Sequence, residues 1–205
     1  MKHLVLAVAV ALTSMTAPAG AAGADATPAW ATWSWASPDG HVHLTYPAIV
    51  TPSRRTVAGN YFFAKGWRVF WGGDPGPGSV VISFTRAARP ALAHASARES
   101  LQIGVSHDEH VVADCLHAGL PRDGGSVLPK RTINGTRFRV YSRSDQAMSQ
   151  GTTTVDLRAV VGGACYAVDR ISESANSEGS ASVTLSQTDA AAAMDQTLAT
   201  LRLTP

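Results

Sequence analysis

The stretch Ser106 to His117, SHDEHVVADCLH, brings together three imidazoles, three carboxylates and a thiol. Wound as a helix, it would carry His107, His110, Asp114 and His117 at i, i+3, i+7 and i+10, all on one face. Two imidazoles and a carboxylate could hold zinc with one open position, the arrangement that hydrolytic zinc sites use. H-E-x-x-H is absent, however, and the face lies opposite Val112, Cys115 and Leu116. An amphipathic helix of this kind turns such a face to water. A metal-dependent hydrolase on these four residues is therefore the alternative reading, and no metal or other cofactor is expected. Gly104-Val105-Ser106-His107-Asp108 has the letters of a catalytic triad, but adjacent residues cannot line up a proton relay. It also lacks the closing glycine of G-x-S-x-G.

Cys115 and Cys165 are the chain's two cysteines. Residues 1–24 read as a cleavable secretory signal: Lys2 and His3, a continuous apolar run from Leu4 to Leu12, then small residues with A-x-A sites ending at Ala19, Ala21 and Ala24. The apolar run is about half the length that spans a bilayer, so a spanning protein is not expected. Exported proteins mature where disulfides form and persist. A Cys115–Cys165 bridge is thus favoured over two buried thiols or a reactive cysteine.

Two further constellations lie on predicted hairpins. Asn134-Gly135 and Gly162-Gly163 are two-residue turn signals between alternating strands. Around the first, Lys130, Arg137, Arg139 and Arg143 would share one strand face, with Ile133 and Phe138 on the other. Such a basic ribbon could meet lipid phosphates or acidic wall polymers, although arginines on open faces are ordinary. Around the second turn, Asp156 would stand opposite Asp169, with Arg158 close by on the same face. Opposed carboxylates repel unless compensated. They could form an acid/base pair with one raised pKa, but a charge network completed by Arg158 is favoured, because no nucleophile or oxyanion site accompanies them. Five tryptophans, Trp30, Trp33, Trp35, Trp67 and Trp71, crowd the first third of the chain. Most should be core; Trp30 and Trp33, nearest the loose start, are the candidates for an exposed aromatic platform.

The elements that must position these residues follow from periodicity. After a flexible stub at 25–29, Ser37-Pro38-Asp39-Gly40 turns a hairpin, with Val42, Leu44 and Tyr46 alternating beyond it. Strands are predicted over 60–71 and 79–85. A helix is expected to start at Pro90 and run to Arg98, and a short strand to hold Leu101, Ile103 and Val105. Ser106 and Glu109 form a capping-box pattern for the histidine-bearing helix, which Gly119 would stop. Residues 172–187 are Ser-rich and loop-like. Asp189 caps a last helix carrying Met194, Leu198 and Leu201, before a short closing strand. Antiparallel strands with interspersed helices give an α+β domain over 30–205, with helices packed on a central antiparallel sheet.

The segments HVHLTYP, INGTRFRVY, GGACYAV and MDQTLATLRL resemble the PsbP-like family, in particular its uncharacterised exported bacterial members. The resemblance implies an α/β/α sandwich and places Cys165 on a strand beneath a helix. It brings no catalytic residues with it.

The full chain is 45% hydrophobic and 16% charged with a net charge of +2, which argues against nucleic-acid binding. The sequence therefore describes a periplasmic or secreted, non-catalytic binding or accessory protein of the cell envelope. Its expected partner is an envelope protein or an anionic wall or lipid component. An inhibitor of wall-degrading enzymes such as lysozyme is a further alternative, because those proteins are also small, exported and disulfide-stapled.

Overall fold

The computed structural model describes residues 30–53, 77–88, 95–117, 125–147, 150–176 and 186–205. The predicted signal and stub, the strand at 60–71 and Gly119 lie outside the described residues, as do Trp67 and Trp71.

In chain order the elements are β1 (Thr32–Ala36), β2 (Val42–Pro47), β3 (Thr51–Ser53), β4 (Ser79–Ala88), β5 (Ala95–Ser106), α1 (Glu109–Asp114), β6 (Gly125–Ile133), β7 (Thr136–Ala147), β8 (Gln150–Val161), β9 (Ala164–Asn176), α2 (Ser186–Ala199) and β10 (Arg202–Leu203). A seven-stranded sheet runs β3-β4-β5-β9-β8-β7-β6, and every pairing in it is antiparallel. A smaller sheet runs β1-β2-β10. The architecture is α+β, mostly antiparallel sheet with two helices among the described residues.

Turn chemistry sets the register. Asn134 and Gly135 both take positive φ, 45° and 86°, as a two-residue turn between twisted strands demands. Gly162 and Gly163 do the same at 57° and 77°. Side-chain alternation from these turns gives the large sheet two unlike faces. One carries Ile82, Phe84, Leu101, Ile103, Leu157 and Val168, none more than 2% exposed. Helix α2 lies on it. Ala190, Ala193, Met194 and Leu198 are buried, and the small alanines let its backbone approach the strands closely. Arg170 ties the helix down: its Nε donates to Asp195 at 2.8 Å, and its Nη1 lies 3.2 Å from the carboxylate of Glu99. The other face carries Cys165, Ala167, Tyr141 and a buried polar row, with α1 above it. The two helices thus cover opposite faces of the sheet.

The small sheet is held by the end of α2. The Thr200 hydroxyl accepts from the Thr45 amide at 2.9 Å and stands 2.8 Å from the Thr45 carbonyl, across 155 residues of chain. Asn134 donates through Nδ2 to the carbonyls of Ala199 and Leu201, both at 2.9 Å. One turn residue therefore satisfies the last carbonyl of α2, which has no intrahelical partner, and a second carbonyl just beyond the helix.

Four local expectations need correction. Ala95–Arg98 is strand rather than helix, because β5 pairs with β4 on one side and β9 on the other. β9 extends to Asn176, so the Ser-rich segment from Ser172 is ladder rather than loop until that point. Helix α2 begins at Ser186, and Asp189 lies in its first turn instead of capping it. The cap of α1 is Asp108, whose Oδ1 accepts from the amides of His110 and Val111 at 3.0 and 3.1 Å. Ser106 ends β5, and its hydroxyl donates to the Pro77 carbonyl.

Candidate functional site

That last correction breaks up the histidine face on which the alternative, metal-binding reading rested. With Asp108 as N-cap, α1 spans only Glu109–Asp114, so His107 precedes the helix and His117 lies in the turn after it. His107, His110, Asp114 and His117 are all exposed. His117 Nδ1 stands 4.0 Å from Asp114. Among the described residues no three ligand-type side chains converge to hold a metal ion.

The cysteines do meet. Cys115, one residue past α1, is bonded to Cys165 at the start of β9, with Cα atoms 5.7 Å apart and both residues fully buried. The bridge pins a six-residue helix that could not hold itself in water.

Asp156 and Asp169 stand directly opposite each other on β8 and β9, as the Gly162-Gly163 turn predicted. Arg158 Nε donates to Asp156 at 3.0 Å, and all three side chains are fully buried. As a carboxylate, Asp169 finds no donor for either oxygen among the described residues. Protonated, it can donate to Asp156. Burial first, then the Asp156 charge and that hydrogen bond, hold the Asp169 carboxyl well above the usual carboxylate range, while Arg158 pulls the other way. The cluster is sealed from solvent, and none of its members lines a described cleft.

The basic ribbon is where charge reaches the surface. Arg137, Arg139 and Arg143 alternate along β7 on the α1 side, while Ile133 and Phe138 are buried on the other. A register shift in β6 between Leu128 and Arg131 carries Lys130 into the same neighbourhood. Lys130, Arg137 and Arg139 line one cleft of about 280 Å³ with Leu116, His117 and Phe138. Arg143, half-buried and opposite Thr154, sits farther along β7 and is not part of it.

Two details make this cleft hungry for negative charge. None of Lys130, Arg137, Arg139 or Arg143 pairs with a carboxylate among the described residues. Arg139 also stands opposite Arg158, whose charge Asp156 takes. Tyr141 fixes the floor by donating its hydroxyl to the Leu116 carbonyl. Burial pushes that phenol above its ordinary range, and the neighbouring Arg139 guanidinium draws it back.

The aromatic pair does not assemble. Trp33 is 61% exposed on β1, but Trp30 is half-buried and packs against the main core. Sequence reasoning missed that His117 and Leu116 complete the basic cleft. The signal was present, since the Cys115–Cys165 bridge had to bring the end of α1 down beside these strands.

No protein-family model matches the chain, and no curated protein matches it. The PsbP-like likeness therefore stands on its four short segments alone. Two solved structures are similar at low identity. One, from Bacteroides thetaiotaomicron, is 14% identical with a TM-score of 0.39, covering 84% of this chain. The chain spans only 48% of that protein's length. The other is LpqN, involved in cell envelope biogenesis of Mycobacterium tuberculosis, at 11% identity and a TM-score of 0.45, covering 85% of this chain and 91% of LpqN. At such values neither likeness transfers a residue role or a function.

Proposed function

We propose that the chain is an exported, disulfide-stapled binding or accessory protein of the cell envelope, acting without catalysis. It holds an anionic partner at the cleft of Lys130, Arg137 and Arg139, with Arg143 extending the charge along β7. The observation that carries this reading is the convergence of three cations on one cleft with no carboxylate paired to them among the described residues. Charge-assisted hydrogen bonds from arginine forks to phosphate or carboxylate are about twice as strong as neutral ones.

Two further features support the reading. The apolar start of the sequence favours export, and a bridge such as Cys115–Cys165 is characteristic of oxidising compartments. Among the described residues no helix is long and apolar enough to cross a membrane. The Asp156–Arg158–Asp169 cluster serves the fold on this reading, because all three side chains are fully buried.

The experiment is co-sedimentation of the purified protein with anionic vesicles, zwitterionic vesicles and cell-wall fragments. The protein should pellet with an anionic material and stay in solution with zwitterionic vesicles. Equal pelleting with both kinds of vesicle would end the proposal.

A further inference from the structure

A second cleft, of about 680 Å³, opens at the turn of the β6–β7 hairpin, between that turn, the end of α2 and the small sheet. It shares no lining residue with the basic cleft. Its walls hold one full cation and no acid. Arg202 is exposed, and no carboxylate pairs with it among the described residues. It stands in register with His43 across β2 and β10, while Ser34 faces Thr45 across β1 and β2.

The hydrogen-bonding roles in this cleft are largely fixed. His43 Nε2 is 2.7 Å from the Gly40 carbonyl, which can only accept, so Nε2 carries the hydrogen. In the neutral ring Nδ1 is then left with a lone pair. Asn134 has both amide hydrogens engaged by Ala199 and Leu201, which leaves its Oδ1 as the atom to meet a ligand. The cleft thus offers one charged donor fork and two acceptors, with the hydroxyls of Ser34 and Thr45 able to play either role. Trp35 turns its ring to the other side of the small sheet, with Leu44 and the core.

We infer that this cleft binds a sugar acid. Its carboxylate sits on the Arg202 fork, its hydroxyls donate to His43 Nδ1 and Asn134 Oδ1, and the hydroxyls of Ser34 and Thr45 take the rest. A neutral sugar would leave the guanidinium without its charged partner. An inorganic anion would set negative charge against the two acceptors. Only a ligand with both an anionic group and several hydroxyls satisfies the whole set.

The test is isothermal titration of the purified protein with sodium glucuronate, and separately with glucose and inorganic phosphate. Glucuronate should bind at least ~10-fold more tightly than either, since one charge-assisted contact is worth about a decade or more in affinity. Arg202→Met should weaken glucuronate by about 10-fold and leave glucose unchanged. His43→Phe should weaken both sugars. All titrations are run in the Arg137→Ser/Arg139→Ser background, so that an anion held at the basic cleft does not register. If Arg202→Met does not fold, His43→Phe decides alone. No binding of glucuronate, equal affinity for glucuronate and phosphate or glucose, or glucuronate binding unaltered in His43→Phe overturns the inference.

Discussion

The two faces of the seven-stranded sheet are built from the same strands and solve burial in opposite ways. On the α2 side, aliphatic and aromatic side chains interdigitate with a small-residue helix. On the α1 side the buried row includes Ser83, Ser100, Gln102, Thr154, Asp156, Arg158 and Asp169. The helix above that row is six residues long and covalently stapled. An apolar face stabilises by area removed from water. A buried polar face must instead satisfy each group, and it can be neutral or costly relative to an apolar substitute. Both sides hold the fold, the α2 side by apolar area and the α1 side by a staple and paired charges, and the α1 side also presents the arginines of the basic cleft.

The sharpest way to break this comparison is to remove one partner of the buried cluster. Arg158→Met leaves Asp156 without its 3.0 Å counter-charge and should cost about 3–5 kcal/mol by denaturant titration. A cost below about 1 kcal/mol would mean the charges are not interdependent. Replacing both Cys115 and Cys165 with alanine reopens a 50-residue loop and should cost up to about 4 kcal/mol. Thiol titration of denatured, unreduced wild-type protein should correspondingly find almost no free thiol. On the other face, Leu101→Ala should cost about 2–5 kcal/mol through transfer and cavity alone, with no dependence on pH.

A smaller effect reports on the buried carboxyls by pH. The folded state holds the Asp169 proton above the usual carboxylate range, so it binds more protons than the unfolded chain. Stability from this group is therefore present at low pH and is lost as pH rises from about 4 through the raised folded value. Glu99 and Glu173, also raised chiefly by burial, act with the same sign. Asp169→Asn should keep the hydrogen bond to Asp156, flatten this fall, and make the protein more stable than wild type at pH 8 but not at pH 4. Parallel stability curves for the two proteins would refute the shared-proton account.

These features differ in how far the sequence revealed them. The Asp156–Asp169 opposition was legible because a two-glycine turn leaves one register open, and the basic strand face followed from the same period of two. The disulfide was legible from compartment and count. What was not legible depended on partners distant in sequence. Ala95–Arg98 has helix-forming composition, but β4 and β9 on either side impose strand. Ser172–Asn176 looks like loop for the same reason, since small polar residues suit a ladder paired on both edges. The histidine face dissolved because Asp108 outcompetes Ser106 as cap and the bridge at Cys115 ends the element early. The larger cleft was invisible because it joins residues from near both ends of the described chain, Ser34 and Arg202 among them.

The central claim is that the α1 side ends in an anion-binding cleft, and one measurement addresses it most directly. Wild type and Arg137→Ser/Arg139→Ser are compared for binding to anionic vesicles and to wall fragments, at low and at physiological salt. Replacing exposed Arg137 should cost less than about 0.5 kcal/mol and replacing half-buried Arg139 more, so binding is compared at a temperature where melting shows both proteins folded. Wild-type binding should weaken steeply as salt rises, because screening acts on exchangeable surface charge. The variant should bind weakly at both. Equal binding by the two proteins, or binding by neither, would contradict the claim.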